Sequence, residues 1–338
     1  MRLTLKKPDL TQVVPVVLGS LLAIGLIVAG IITKQDILVR YATTDPQTEK
    51  SVAPKPVVVA AVGDISCPPD LPVADDGCQM AAVRDAILRS NPDHVLVLGD
   101  LQYNAGEPEH FKTLFSPLWA GLKSRSFAVP GNHEYYTAEA KGYYDYWNDT
   151  QPQSKMAGET GKGYYSFDLG FWHLFALNSN CEYIGGCGEG SDQVRWLRQA
   201  SAQNQTKACS LAFWHHPFFT SGRYANDTVS KNRSSVFWDT LQQTNTEIVL
   251  NGHEHLYERF ATQNKDGLQD PNGIRQFVVG TGGYGYAAYP FKEPRLPTHE
   301  FGARTFGFLR LELKESSYSW QFIDINDQVL DHGVGICR

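Results

Sequence analysis

No long basic run occurs anywhere in the 338-residue chain. Its 36 acidic and 30 basic side chains, net −6, are spread along the whole length. A protein dedicated to tracking a phosphate backbone needs clustered Lys and Arg, so nucleic-acid binding is not expected. Low-complexity tracts and internal repeats are also missing. With 42% hydrophobic residues the composition is far from that of disordered chains, and the apolar content is ample for a sizeable core. Close Cys-x-x-Cys pairs with His partners are absent too, which argues against a zinc-binding role for the cysteines.

Charge is missing altogether from Leu10 to Thr33, and residues 13–32 are nearly all Val, Leu, Ile, Ala and Gly. That run is long enough to span a bilayer, and it exceeds the roughly 7 to 15 apolar residues of a cleaved signal peptide. Arg2, Lys6 and Lys7 precede it against Asp9 alone, whereas Lys34, Asp36 and Arg40 follow. The expected organisation is therefore a cytoplasmic N-terminus (1–12), a transmembrane signal-anchor helix (13–32), a linker (33–56) and an extracytoplasmic domain (57–338). The alternative is secretion after cleavage near Val28-Ala29-Gly30. Six cysteines fit an oxidising compartment. The favoured pairing is Cys67 with Cys78, Cys181 with Cys187, and Cys209 with Cys337; buried free thiols are the other reading.

Beyond the linker, short apolar runs repeatedly end in glycine or asparagine followed by polar residues. Residues 57–62 lead into Gly63-Asp64, 94–98 into Gly99-Asp100, and 126–129 into Pro130-Gly131-Asn132-His133. Later, 209–214 lead into His215-His216, and 247–250 into Asn251-Gly252-His253. Continuous apolar runs imply strands buried on both faces, as in α/β proteins, with polar residues gathered at strand C-termini where ligands bind. Helices are predicted over 79–89, 111–122, 191–202 and 235–243. Hairpins are predicted over 163–177 and 306–323, so the sheets should be mixed.

Asp64, Asp100, Tyr103, Asn132, His133, His215, His253 and His255 stand at these strand ends. Each alone is explained by a turn, a helix cap or a core histidine. Together they form a set of carboxylate, amide and imidazole donors suited to first-row metals. The blocks Gly63-Asp64, Gly99-Asp100-Leu101-Gln102-Tyr103, Gly131-Asn132-His133-Glu134, Ala212-Phe213-Trp214-His215 and Gly252-His253-Glu254-His255 resemble, in order, the five blocks of calcineurin-like metallophosphoesterases. The resemblance implies a four-layer α/β/β/α sandwich holding two metal ions about 3.5 to 4 Å apart. It further implies that Asp64, Tyr103 and His255 hold the first, that Asn132, His215 and His253 hold the second, and that Asp100 bridges them. His133 would act in catalysis without binding metal.

Ser66 stands where most of that superfamily has a ligand histidine, and Tyr103 supplies the replacement, as in the purple-acid-phosphatase branch. That branch usually has Gly at the Ser66 position and Val at the Ala212 position; neither departure removes a ligand. The implied activity is hydrolysis of phosphate esters, chiefly monoesters of phosphorylated small molecules. Two cations would acidify a shared water, and the metal-bound hydroxide so formed would attack phosphorus in line, while His133 would donate a proton to the leaving group or else hydrogen-bond to the phosphoryl group. A phenolate at Tyr103 calls for a strong Lewis acid, so Fe(III) beside divalent Fe, Zn or Mn is expected. His216 reads either as a phosphate contact or as an outer support. The glycine-rich run 280–286 reads as a structural turn or as a source of N–H groups or a tyrosine for the cleft. Rival readings are a phosphodiesterase or nucleotide hydrolase with the same core, and a catalytically silent surface-binding protein stabilised by metal.

Overall fold

In the computed structural model the described residues are 55–71, 77–148, 156–204, 207–244, 246–285 and 291–338. Thirteen strands are found among them: β1 Val57–Val62, β2 His94–Val97, β3 Ser126–Ala128, β4 Tyr165–Leu169, β5 Trp172–Ala176, β6 Cys209–Phe213, β7 Thr246–Asn251, β8 Tyr257–Phe260, β9 Arg275–Val279, β10 His299–Ala303, β11 Gly307–Leu313, β12 Ser317–Asp324 and β13 Val329–Ile336. They form a six-stranded sheet in the order β13-β12-β11-β1-β2-β3 and a seven-stranded sheet in the order β10-β8-β9-β7-β6-β5-β4. Both are mixed. β1, β2 and β3 run parallel while β11 joins β1 antiparallel. β5, β6, β7 and β9 run parallel, flanked by antiparallel β4 and β8.

Side-chain alternation along the strands explains the layering. Val59 and Ala61 of β1 join Leu174, Leu211, Leu250, Phe277 and Leu311 in a core between the two sheets. Ala60 and Val62, pointing the other way, pack with Val83 and Ile87 of helix α1 (Met80–Ser90) and with Phe115, Trp119 and Tyr143. Tyr143 belongs to α2 (Lys141–Asn148). On the far face of the second sheet, Phe175, Ala212, Val249 and Val278 pack against Leu197 of α3 (Asp192–Gln203) and against Phe237, Trp238 and Leu241 of α4 (Thr228–Gln242). The result is the four-layer α/β/β/α sandwich. Burial of the central strands on both faces accounts for their unbroken apolar runs.

The hairpins β4–β5 and β11–β12 lie where the sequence places them. α4 begins seven residues before its predicted start. Its first two turns are polar and carry no apolar period, and the start is set by Asp227, whose carboxylate accepts from Val229 N (2.9 Å) and Ser230 N (3.4 Å). The predicted helix over 111–122 is a short α-turn Pro108–His110, a π-turn Phe111–Phe115 and a further turn Ser116–Trp119. The signal-anchor segment 13–32 lies outside the described residues; among those described, no helix is long and apolar enough to cross a membrane.

All three disulfides pair as the sequence favours: Cys67–Cys78, Cys181–Cys187 and Cys209–Cys337. The last closes 128 residues and ties the start of β6 to the segment after β13, whereas Cys181–Cys187 closes only six. Loop-closure entropy then predicts unequal losses, about 5 kcal/mol for the paired Cys209→Ser/Cys337→Ser change and about 2 kcal/mol for Cys181→Ser/Cys187→Ser. Urea unfolding of the two variants measures the difference; equal midpoint shifts would refute the entropic ranking.

Candidate metal centre

Where β1, β2, β3, β6 and β7 end, the C-terminal edges of both sheets converge, and every sequence-predicted site residue lies on a turn there. These turns are tight. Asp64, Asp100 and His253 adopt left-handed backbone conformations with φ of 62°, 51° and 70°, each costing about 1 kcal/mol or more. Hydrogen bonds across the turns offset that strain: Asp64 N donates to Gly99 O (3.0 Å), Ile65 N to Asp100 O (2.9 Å), and His253 N to Asp64 Oδ2 (2.9 Å). Close approach requires glycine at residue 131, where a Cβ would lie 2.1 Å from Asp100 Oδ1.

Buried Asp64, Asp100, Tyr103 and His215 and the partly buried Asn132, His253 and His255 form two clusters that share Asp100. In the first, Tyr103 Oη lies 2.8 Å from Asp64 Oδ1, 3.0 Å from Asp100 Oδ2 and 3.0 Å from His255 Nε2, and His255 Nε2 lies 3.2 Å from Asp64 Oδ1. In the second, His215 Nε2 lies 3.2 Å from Asp100 Oδ2, from Asn132 Oδ1 and from His253 Nδ1. Outer partners set the ring orientations. His215 Nδ1 donates to Leu98 O and His255 Nδ1 to Gly285 O, both at 2.8 Å, so the Nε2 lone pairs of both rings face the cluster. Separations of 2.8 to 3.2 Å are hydrogen-bond distances, and they are also compatible with the donor spacing around a cation bound at about 2.1 Å.

The electrostatics agree with that fit. Burial alone would raise the Asp100 carboxyl, but the charges of His215 and His133 hold it well below its usual range. Burial would lower His215, but Asp100, Asp64 and the Leu98 carbonyl together push it up to about 9. Burial, then Asp100 and Asp64, raise the Tyr103 phenol well above its ordinary value. Burial and the neighbouring His215 push His253 well down. The centre thus sets buried carboxylates against imidazoles, a charge pattern that cations would neutralise on binding.

His133 stands apart from the lone-pair clusters. Its Nδ1 donates to Asn104 O (2.5 Å), which turns Nε2 toward the centre, 3.9 Å from Asp100 Oδ2, with the side chain 24% exposed. His216 is drawn in beside His215 and His253, with its ring 4.5 Å from that of His253. Both its nitrogens are engaged by protein: Nδ1 pairs with Ser179 Oγ (2.8 Å) and Nε2 accepts from Arg233 (3.0 Å), which is itself paired with Glu182. Ser66 is buried with its Oγ on Met80 Sδ.

Two glutamates adjoin the ligand motifs, and sequence reasoning assigned them no role. Glu134, fully buried, accepts from Asp100 N (2.9 Å), Leu101 N (2.7 Å), Gln102 N (3.3 Å) and Gly131 N (2.7 Å), binding the second and third blocks together. Burial and the nearby Asp100 push its pKa up to about 7. Glu254 accepts from Arg223 N (2.9 Å) and Tyr224 N (2.6 Å), which lays the Tyr224 ring 4.3 Å from His253. On the opposite rim Tyr136, 62% exposed, accepts from Asn132 Nδ2 (3.3 Å) and packs 4.8 Å from His133. The position of each glutamate inside a Gly-Asn-His-Glu or Gly-His-Glu-His block was the available signal.

The sequence model of the calcineurin-like phosphoesterases matches residues 57–257, more than half of the chain. The chain belongs to that family. Among its curated relatives, purple acid phosphatase 22 of Arabidopsis thaliana is 29% identical over 257 residues, covering 71% of this chain and 56% of the relative. The chain spans about half the length of the curated relatives it matches. In three dimensions it is similar to a purple acid phosphatase from yellow lupin (Lupinus luteus) seeds, with a TM-score of 0.65, 18% identity, and coverage of 82% of this chain and 53% of that one. A dimetal phosphatase from Danio rerio shares the fold at a TM-score of 0.56 and 15% identity, covering 84% of this chain and all of that one. The chain therefore resembles the purple-acid-phosphatase branch in sequence and in fold.

Proposed function

We propose that this phosphoesterase hydrolyses phosphate esters, monoesters above all, at a centre of two metal ions. The observation that carries the reading is Asp100: one buried carboxylate shared by a cluster of Asp64, Tyr103 and His255 and a cluster of Asn132, His215 and His253. These residues would hold the two ions, with Asp100 common to both. Such a pair, when bound, supplies an acidified water and neutralises the phosphoryl oxygens. The chain's own groups do the rest. Asp64, Asp100 and Glu134 fix the turns through backbone N–H groups. His133 holds a proton at Nε2, opposite the carbonyl that anchors Nδ1, and delivers it to the leaving oxygen. His216, occupied on both nitrogens, packs its ring 4.5 Å from that of His253, which leaves the phosphate contacts in this reading to His133 and the rim. The leaving group would lie toward Tyr136 and Tyr224, which flank His133 and His253.

Turnover of a chromogenic aryl phosphate by the metal-loaded protein is expected to stop on addition of a chelator and return when metal is restored. Activity indifferent to chelation would refute the reading, and rates on a panel of mono- and diesters rank the substrate classes. Fe(III) is the proposed partner of Tyr103, beside divalent Fe, Zn or Mn. The concentrated protein should then be violet to pink, and Tyr103→Phe should remove the colour while the far-ultraviolet circular dichroism stays unchanged. Colourless active enzyme without iron would sink the phenolate assignment.

We further propose that residues 13–32 anchor the chain in a membrane with the catalytic domain outside the cytoplasm, on the strength of the uncharged span and its basic flank. Removal of residues 1–40 should give soluble active protein. Release of the full chain from membranes by alkaline carbonate would contradict an integral anchor.

A further inference from the structure

The glycine-rich loop after β9 packs behind one half of the centre. Gly282 N donates to Gly63 O (2.9 Å), Tyr284 N donates to Asp64 O (3.1 Å), and Gly285 O accepts from His255 Nδ1 (2.8 Å). A Cβ on residue 282 would lie 2.4 Å from Gly63 O, so the loop cannot approach this closely without glycine there. The Tyr284 ring lies flat on Tyr103, with centroids 3.8 Å apart and planes 19° apart, and meets His255 edge-on at 5.3 Å. From the other side, Gly285 N donates to Gly77 O (2.8 Å), and Cys78 pairs with Tyr284 in an antiparallel bridge. The Cys67–Cys78 disulfide then returns the strap to within three residues of Asp64. These contacts fall on Asp64, Tyr103 and His255, the three donors of the first cluster.

We propose that Tyr284 is a positioning residue for Tyr103, and that the 280–285 loop makes retention of one metal ion depend on it while the other half of the centre does not. The phenol oxygen of Tyr103 sits at the end of a long side chain, so a small swing of the ring displaces it from its place between Asp64, Asp100 and His255. A second ring stacked flat on its face blocks that swing. His255 is fixed by the same loop through Gly285 O. Outer partners of this kind are worth about 10- to 100-fold in metal affinity. The proposal rests on the two-metal reading above.

The test compares the full metal-loaded chain with Tyr284→Phe and Tyr284→Leu after dialysis against a graded chelator series. Metal is counted by elemental analysis and folding is followed by circular dichroism. Tyr284→Phe keeps the stacked ring while giving up the hydroxyl, which contacts Asn104 Oδ1 (3.5 Å), and should release its ions much closer to the wild-type chelator concentration than Tyr284→Leu does. Tyr284→Leu should lose one of its two ions at a chelator concentration about 10- to 100-fold lower, keep the other, and shift any tyrosinate absorption band. A folded Tyr284→Leu that keeps both ions as the wild type does, or that loses both together, overturns the proposal. Should the leucine variant fail to fold, Tyr284→Met, which keeps similar bulk without the ring face, takes its place under the same criteria. A wild-type protein that never holds two ions refutes the two-metal reading itself, an outcome separable from wild type and variants behaving alike.

Discussion

Asp100→Asn is expected to lower turnover on the order of 10³-fold and to reduce the metal content of both clusters. Asp100 Oδ2 lies 3.0 Å from Tyr103 Oη and 3.2 Å from His215 Nε2, so one oxygen serves both clusters, while Oδ1 accepts from His133 N at 2.9 Å. The amide keeps the volume but gives up the charge, and one of its two ends becomes a donor that can face neither a cation nor His133 N. The fold should survive, because the surrounding turns are held by Glu134 through the backbone of residues 100–102 and 131. Elemental analysis with steady-state kinetics checks this. A variant that keeps two metals and a tenth or more of the activity would remove Asp100 from its shared role.

His133→Ala should leave both metals bound while the rate on substrates with poor leaving groups falls by roughly 10² to 10⁴. The separation of functions comes from geometry. Asn132 Oδ1 faces His215, whereas the next side chain is turned by Asn104 O so that its free nitrogen approaches the centre from the open side. Proton donation matters most when the leaving alkoxide is basic, so the loss should shrink for aryl phosphates with acidic phenols. Measuring kcat across a series of leaving groups tests this directly. A loss of equal size for all of them would point to phosphate binding as the role of His133, and loss of metal would make it a ligand.

What the sequence determined by itself is which metal-suited side chains gather at one edge and the layering that presents them. Apolar runs ending in Gly-Asp, Gly-Asn-His and Gly-His-x-His put each donor on a strand-end turn, and the strand ends of an α/β sandwich share one edge. The strands, hairpins and two short disulfide loops were legible for similar reasons, since apolar runs, turn residues and close cysteine spacing are local signals, whereas Cys209–Cys337, 128 residues apart, followed only as the remaining pair. Tertiary structure alone decided which groups support the donors. Glu134 reaches back 32 to 34 residues for three N–H groups, and Glu254 reaches back 30 and 31 residues to lay Tyr224 on His253. Tyr284 meets Tyr103 across 181 positions of chain, and Arg233 on α4 claims the ring nitrogen of His216 that the sequence left open to phosphate. These contacts have no periodicity and no fixed spacing. They exist because a buried donor or acceptor must find a partner wherever the fold brings one within reach.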